Sequence, residues 1–193
     1  MKEKPRTWDW NKILENGDFK KTDKVLETGA LFGEFSVTLS PLVKSVVVTD
    51  NYGWANRRFV KVGNMDMVKL WEKAIKSKKN LKLEVADMQD LPYPTASFDK
   101  VVCISSIEHV PDDRGSIFEM MRVLKPDGLL LLTTEYHPYR PQMVVDEDKS
   151  FYRVYDSMSI SKLVEGFNVI KREVVSESPS NYTTIFLTIK NGK

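Results

Sequence analysis

Short runs of apolar residues without polar alternation limit most strongly how this chain can fold. The clearest runs are Val46–Val48, Val101–Ile104 and Leu129–Leu132. A strand with one face in water alternates apolar and polar residues, whereas a strand covered by helices on both faces does not. Strands are therefore expected over the following segments: Lys24–Thr28, Ser45–Thr49, Leu81–Ala86, Lys100–Ser105 and Leu129–Thr134.

Stretches with helical spacing separate several of these strands. Apolar residues recur at i, i+3, i+4, i+7 and i+8 over residues 67–75, and a second apolar stripe runs from Ile117 to Leu124. Lys125–Gly128, with proline second and glycine fourth, predicts that a type I turn ends the second helix. Alternating strands and helices are typical of a doubly wound α/β fold with right-handed crossovers.

The end of the chain departs from this alternation. Val169–Val175 and Thr183–Ile189 both have the composition of strands, and only the seven residues Ser176–Tyr182 lie between them. Because this connection includes a proline and is too short for a crossover helix, we expect an antiparallel pair joined by a loop. A short helix is predicted upstream, over Ser157–Val164. The sequence thus predicts a mostly parallel, seven-stranded sheet with one antiparallel C-terminal strand.

Length and charge restrict the function classes. A chain of 193 residues fits one domain. Its 29 basic and 27 acidic side chains give a net charge of +2 without a clustered basic excess, which argues against a nucleic-acid partner. No apolar run approaches the roughly 18 residues of a membrane helix, and no secretory signal is visible. With a single cysteine, Cys103, a reducing, cytoplasmic location is expected.

Acidic residues stand where the first three predicted strands end. Glu27 precedes a turn with two glycines, Gly29 and Gly33, which allow a ligand to approach the backbone closely. Asp50 ends the second strand, about twenty residues further on, where a carboxylate can accept both hydroxyls of a ribose. Asp87 follows the third strand. The carboxyl ends of parallel strands meet at one edge of a sheet, so these acids predict a ligand crevice there.

Four motifs follow one another in register along the chain. They are Val25–Gly33, Asp87–Pro92 with Ser97–Asp99, Ile107–Val110, and Arg122–Gly128. In order and spacing they resemble class I S-adenosylmethionine-dependent methyltransferases, and in particular the small type 11 group, which acts largely on small molecules. The resemblance covers residues 24–134. Two positions depart from the family pattern: Leu31 replaces the middle glycine of the first motif, and Asp127 replaces a glycine of the last.

The resemblance implies a Rossmann-like methyltransferase fold that binds S-adenosylmethionine and a small-molecule acceptor, with no metal ion. Asp50 would bind the ribose hydroxyls, and Asn51 would sit against the adenine. Asp87 would accept from the adenine amino group, while the Met88 N–H would face a ring nitrogen. The methionyl part of the cofactor is expected to lie against Gly29, Ala30, Gly33 and Ser105. Glu27 would meet the amino group of the cofactor directly or through water.

The implied reaction is an in-line displacement, in which a nucleophile attacks the methyl group of a sulfonium and a neutral thioether leaves. The protein mainly supplies positioning and a dry site, and a base is needed only for a protonated acceptor. His109 is the candidate base. The alternative is a helix-terminus residue that orients a loop, since no orienting partner is evident nearby. His137 lies in Glu135–Pro141, which is either an acceptor wall or a surface loop.

The single domain is expected to have three parts, namely an N-terminal lid or helical segment (1–23), a cofactor-binding core (24–134), and an acceptor-side loop with the C-terminal strand pair (135–193). Trp8, Trp10 and Trp54 either close over the ligand or serve as packing anchors. Cys103, inside an apolar strand, is expected to be an inert core residue. The oligomeric state is left open.

Two other functions compete with the leading interpretation. Leu31 motivates a catalytically silent module that has a methyltransferase-like fold and binds a partner or a nucleoside. A nicotinamide-dependent oxidoreductase shares the glycines and the strand-end acid. Asp87, the Lys125–Gly128 turn and the antiparallel ending all argue against the oxidoreductase.

Overall fold

Strands form the centre of the computed structural model, which describes residues 7–31, 33–51, 61–62, 65–66, 73, 75–76, 78–145, 151–174 and 183–192. The strands are β1 (Lys24–Thr28), β2 (Ser45–Asp50), β3 (Lys61–Val62), β4 (Met65–Asp66), β5 (Leu81–Val85), β6 (Phe98–Ile104), β7 (Leu124–Tyr136), β8 (Gln142–Val145), β9 (Phe151–Val154), β10 (Asn168–Val174) and β11 (Thr183–Lys190). Seven of them form one sheet in the order β10-β11-β7-β6-β1-β2-β5. β3 pairs with β4, and β8 pairs with β9, each pair antiparallel.

Strand direction confirms the predicted topology. The pairs β5–β2, β2–β1, β1–β6 and β6–β7 are parallel. β11 is antiparallel to both of its neighbours, β7 and β10, and is therefore the one reversed strand of the sheet. The carboxyl ends of the parallel strands meet at a single edge, where open α/β sheets bind their ligands.

Helices lie on both faces of the sheet. Those with described bounds are α1 (Thr7–Asn16), α2 (Glu34–Leu39), α3 (Asp113–Val123) and α4 (Ser157–Leu163), with 3₁₀ turns at Ser40–Leu42 and Ile107–His109. Of the helix predicted over 67–75, the described residues Lys73 and Ile75 are helical, and Ile75 is buried. Within the described ranges, no helix has both the length and the apolar character needed to cross a membrane.

Both faces of the sheet are buried, which explains why polar and apolar residues do not alternate along its central strands. Leu130 and Leu132 of β7 belong to the apolar cluster that includes residues of α3 and α4. Leu131, between them, belongs to the cluster that includes residues of α1 and α2. All three leucines are completely buried. Each buried leucine stabilises the fold by about 2 kcal/mol relative to an exposed one, so the helices on both faces contribute to stability.

Lys125–Gly128, predicted as a type I turn, instead forms an irregular stretch near the start of β7, between the pairs Phe98–Leu124 and Lys100–Leu129. Asp127 has a φ of 61°, and a positive φ at the third position of a turn is typical of type II. The Asp127 N–H donates to the Asn191 carbonyl at 2.8 Å, and the Asp127 carboxylate lies 2.8 Å from Lys190 Nζ. These contacts with the end of the chain favour the left-handed conformation. The preceding helix ends at Val123, one residue earlier than predicted.

The β8–β9 hairpin is a further difference, because the sequence predicts only a loop after β7. Every residue of β8 is exposed, so no buried face marks it as a strand. β9 packs against the 3₁₀ turn Ile107–His109. Arg153 of β9 donates to the carbonyls of Val110 and Pro111, which ties the hairpin to the segment after β6.

Candidate functional site

The turn between β1 and α2 has a backbone that favours glycine. Gly29, Leu31 and Gly33 have φ values of 65°, 51° and 59°, respectively. A Cβ on Gly29 would lie 2.5 Å from the Cβ of Ser106 and 2.7 Å from the Met88 methyl group, so no other residue fits without displacing its neighbours. The turn therefore brings the backbone of β1 directly against the segment that follows β6.

Leu31 follows the backbone path expected of the glycine that it replaces. Its N–H donates to Oδ2 of Asp50 at 2.9 Å. The neighbouring Ala30 N–H donates to the Thr49 carbonyl at 3.0 Å. A left-handed conformation costs a leucine about 1 kcal/mol, and each hydrogen bond contributes about as much in the opposite sense. The departure from the family pattern thus leaves the turn formed.

Asp50, Asn51 and Asp87 lie together at the carboxyl ends of β2 and β5. The Asp50 side chain is almost completely buried, and the Asp50 carbonyl accepts from the Ala86 N–H at 3.2 Å, just before Asp87. The Asn51 amide donates to Oδ2 of Asp87 at 3.3 Å. Oδ1 of Asp87 accepts from the Gln89 N–H at 2.9 Å. Each carboxylate thus has its orientation fixed by hydrogen bonds from neighbouring residues.

Glu27 and Met88 are buried beside the glycine turn. The Glu27 carboxylate accepts a hydrogen bond from the Ser36 hydroxyl of α2, and only a small fraction of its side chain is exposed. The Met88 methyl group lies next to Gly29. The structure therefore places both residues next to the glycine turn, with little exposed surface.

The two serines after β6 differ in their contacts. Ser105 has a φ of 44°, and its N–H donates to the Thr133 carbonyl at 3.0 Å. Ser106 Oγ donates to the Gly29 carbonyl at 2.6 Å. Ser106, which the sequence-based interpretation missed, is therefore the serine that closes the glycine turn. The only sequence signal for it is a pair of hydroxyl residues at the end of an apolar strand.

His109 has an orienting partner, so the expectation that nothing nearby orients it is wrong. Its Nδ1 lies 3.2 Å from the Phe151 carbonyl. A carbonyl oxygen only accepts hydrogen bonds, so Nδ1 is the donor in this contact, and in the neutral imidazole Nε2 then has the lone pair. The imidazole centroid is 5.6 Å from the ring of Tyr152, whose hydroxyl donates to Glu135. These residues form the acceptor-side cluster, defined as His109, Glu135, Phe151 and Tyr152.

Glu108, next to His109, was also missed. Its side chain is completely buried, and Oε2 accepts from the Thr134 hydroxyl at 2.9 Å. Burial raises the pKa of this carboxyl to about 8. A perturbed carboxyl beside a candidate base is a common feature of functional sites. The sequence offered no signal for it beyond its position in the Ile107–Val110 motif.

The other residues that the sequence singled out lie in the packed core or in a surface loop, or outside the described residues. Trp8 and Trp10 are half-buried and pack against the core, and the Trp10 ring lies 6.0 Å from that of Phe35. These two tryptophans therefore serve as packing anchors. His137 accepts from the Tyr139 N–H at 3.2 Å in an exposed loop. Trp54 lies outside the described residues. Complete burial raises the pKa of the Cys103 thiol, which makes it unreactive.

The sheet order, the glycine turn and the strand-end acids together define a nucleoside-binding α/β domain of the methyltransferase type. The family model described as "Methyltransferase domain" matches residues 26–132, which is more than half of the chain. The chain therefore belongs to the S-adenosylmethionine-dependent methyltransferase family, as its sequence motifs predict.

Relatives and solved structures agree with this assignment. A Bacillus subtilis protein named "Uncharacterized methyltransferase YcgJ" is 30% identical over 139 residues, which are 72% of this chain and 50% of that protein. A Stutzerimonas stutzeri protein named "Ubiquinone/menaquinone biosynthesis C-methyltransferase UbiE" is 32% identical over 136 residues, or 70% of this chain and 46% of that protein. The chain thus spans about half the length of these two relatives.

One solved structure with a similar fold contains S-adenosylhomocysteine, which is S-adenosylmethionine without its methyl group. It is the Burkholderia thailandensis 1,6-didemethyltoxoflavin-N1-methyltransferase with bound 1,6-didemethyltoxoflavin and S-adenosylhomocysteine, with a TM-score of 0.74 and 13% identity. The similarity covers 100% of this chain and 80% of that one. The crystal structure of the YcgJ protein superposes with a TM-score of 0.73 and 16% identity over 96% of this chain and 99% of the other.

The residues at the sheet edge fit S-adenosylmethionine. Ribose hydroxyls and an adenine amino group are hydrogen-bond donors, and Asp50 and Asp87 are acceptors at the same edge. Gly29, which has no side chain, lets Ser106 and Met88 pack directly against the backbone of the turn beside these acids. The chemistry of these groups matches the cofactor of the family.

Proposed function

We propose that this chain transfers a methyl group from S-adenosylmethionine to a small-molecule acceptor by in-line displacement. The observation that carries the proposal is the hydrogen bond from the Leu31 N–H to Asp50, at 2.9 Å. It couples the glycine turn to the strand-end acid in spite of the substitution at the middle glycine. A turn held in this way supports binding of the methionyl part of the cofactor beside it.

We assign the cofactor contacts to the residues that the family resemblance implies. Asp50 binds the ribose hydroxyls, Asp87 accepts from the adenine amino group, and Asn51 packs against the ring. The Met88 N–H faces an adenine nitrogen. The methionyl part is lined by the remaining residues, Glu27, Gly29, Ala30, Gly33 and Ser105. The closeness of Asp50, Asn51 and Asp87 supports the nucleoside end of this assignment.

The acceptor binds on the other side of Ser105, within reach of the acceptor-side cluster. When bound, S-adenosylmethionine supplies an activated methyl group whose leaving thioether is neutral, so this chain needs no acid. His109 removes the acceptor's proton with Nε2 where the acceptor carries one, since the Phe151 carbonyl holds the hydrogen on Nδ1. The tilted ring of Tyr152 keeps the imidazole in this orientation.

A small molecule is the acceptor class that the observations favour. The 29 basic and 27 acidic side chains leave a net charge of only +2, which argues against a nucleic acid as the acceptor. The Stutzerimonas relative is named for quinone biosynthesis, and the Burkholderia neighbour holds a small heterocycle. In the proposed division, residues 1–23 form an N-terminal lid or helical segment, 24–134 bind the cofactor, and 135–193 form the acceptor-side loop and the C-terminal strand pair. A cytoplasmic location is proposed from the single cysteine.

Isothermal titration calorimetry with S-adenosylmethionine and S-adenosylhomocysteine tests the proposal. We expect one molecule of either compound to bind, and an excess of NAD to leave the affinity unchanged. Displacement by NAD would instead support the oxidoreductase. Binding without methyl transfer to any acceptor in a broad panel of quinols, phenols and amines would support the silent module, and no binding at all would contradict the cofactor assignment.

A further inference from the structure

Glu108 is a buried carboxyl that the roles above leave unused. It lies in the middle of the Ile107–His109 turn and has no exposed surface. The Thr134 hydroxyl donates to Oε2 at 2.9 Å, and Oε1 has no hydrogen-bond partner among the described residues. An ionised carboxylate that is removed from water needs a cation or several donors. Burial raises the pKa of this carboxyl and is the largest effect on it, whereas the backbone N–H of Glu108 itself and the Thr134 hydroxyl lower the pKa by less, so the neutral acid is favoured.

The surroundings of Glu108 also disfavour its ionisation. Titratable or charged groups stand on each element around it: His109 on its own turn, Asp9 on α1, Cys103 on β6, Asp113 on α3, Glu135 on β7, Tyr152 and Arg153 on β9, and Tyr155 just after β9. The cation of this set, Arg153, lies 3.4 Å from the Asp113 carboxylate and donates to two backbone carbonyls. Burial first, and then the charges of Glu135 and Asp9, raise the pKa of Glu108 to about 8.

The segment that Glu108 anchors carries groups from both halves of the site. Ser106, two residues before it, donates to the Gly29 carbonyl at 2.6 Å. His109, the residue after it, is held by the Phe151 carbonyl at 3.2 Å. A displacement of Glu108 would move the wall of the cofactor crevice and the candidate base at the same time.

We propose that Glu108 is a positioning residue that acts as a neutral carboxylic acid, anchoring residues 105–109 to Thr134 of β7 so that Ser106 stays on the glycine turn. Its effect on cofactor affinity rests on the proposed function, whereas its protonation in the folded protein does not. Above about pH 8 a charge appears between β7 and the turn, beside two other acids. The anchored segment then shifts outward, and both cofactor binding and the orientation of His109 are weakened.

The first test compares the stability of the wild type with that of Glu108→Gln, without ligand, from pH 5 to pH 9.5. Glutamine keeps the shape and the acceptor but never ionises. Between the ordinary carboxyl pKa of 4.5 and about 8, unfolding releases the Glu108 proton, so the wild type loses stability relative to the variant as the pH rises. Above about pH 8 the difference becomes constant. If the stabilities of the wild type and of Glu108→Gln changed in parallel from pH 5 to pH 9.5, the proposal would be overturned.

A matched control separates this effect from the loss of any glutamate. Glu165 is exposed at the surface, and Glu165→Gln should follow the wild-type pH curve throughout. If Glu108→Gln does not fold, an NMR titration of the wild-type protein alone still tests whether Glu108 is protonated. With ¹³C-labelled glutamate, one carboxyl resonance should titrate near pH 8, well above the others, and the absence of such a resonance contradicts the proposal.

The second test measures the affinity for S-adenosylhomocysteine over the same pH range. Between pH 8 and pH 9 the wild-type dissociation constant should rise by up to tenfold more than that of Glu108→Gln, which is the limit for one coupled proton, because ionisation of the ligand's own amino group affects both proteins alike. Equal pH profiles would overturn the positioning role. If no variant binds the ligand at pH 6.5 while the stability curves diverge, the proposed function fails and the protonation of Glu108 stands.

Discussion

The cofactor edge and the acceptor side of this domain are built in different ways. At the cofactor edge, each acid is fixed by backbone N–H groups or side chains at the ends of neighbouring strands, as in the bond between Leu31 and Asp50. On the acceptor side, His109 is oriented by a carbonyl 42 residues away in sequence, on a hairpin whose first strand has no buried residue. The first arrangement follows from the strand pattern, whereas the second depends on how distant segments dock.

This difference explains what the sequence could and could not predict. The runs of apolar residues marked both faces of the sheet, and Asp50 and Asp87 followed from where strands end. Ser106 escaped prediction because its role depends on the distance to Gly29, which becomes visible only when β1 and β6 are adjacent. The buried Glu108 and the oriented His109 depend on β7 and β9, and no local pattern connects them to those strands.

The largest expected effect is at the cofactor edge. Asp50→Ala removes the acceptor of the Leu31 N–H and the proposed ribose ligand together, so the affinity for S-adenosylmethionine should fall by about a hundredfold or more, or about 3 kcal/mol. Calorimetry measures the affinity, and circular dichroism should show an unchanged fold. Asp127→Asn, at an exposed aspartate with a positive φ, is the control and should bind normally. Unchanged binding by Asp50→Ala would show that Asp50 and the glycine turn do not act together in binding the cofactor.

Gly29→Ala should produce the next largest effect, by forcing apart the two strand ends that form this edge. Its Cβ would collide with Ser106, and the positive φ adds backbone strain, so the free energy of unfolding should fall by about 2–3 kcal/mol in a denaturant titration. Gly166→Ala is the matched control, since its φ is also positive but no atom lies within 4 Å of the added carbon. Its loss should be about 1 kcal/mol. Equal losses in the two variants would mean that contact with Ser106 is unimportant.

A smaller effect is expected on the acceptor side, and it should leave the cofactor edge untouched. Tyr152→Phe removes the hydroxyl that donates to Glu135 but keeps the ring beside His109. The free energy of unfolding should fall by about 1 kcal/mol, with no change in the affinity for S-adenosylhomocysteine. Tyr139→Phe, at a tyrosine with 87% of its surface exposed, should change neither quantity. A weaker cofactor affinity in Tyr152→Phe would show that the two regions are coupled through this pair.

The smallest effect concerns the departure from the glycine motif. Leu31→Gly relieves the strain of a positive φ and should stabilise the protein by up to about 1 kcal/mol, with the cofactor affinity unchanged or slightly increased. Ala96→Gly relieves a similar φ of 58° in a turn before β6 and should give a similar gain in thermal stability. A large loss of affinity in Leu31→Gly would show that the leucine side chain itself contributes to binding.

A crystal structure of this chain with S-adenosylhomocysteine tests the central claim most directly. We predict a nucleoside along the carboxyl edge of the sheet, with its ribose hydroxyls on Asp50, its adenine amino group on Asp87, and its methionyl part over the Gly29 turn. The claim would be contradicted if the crystals contained only solvent beside these carboxylates while the Leu31 side chain filled the crevice.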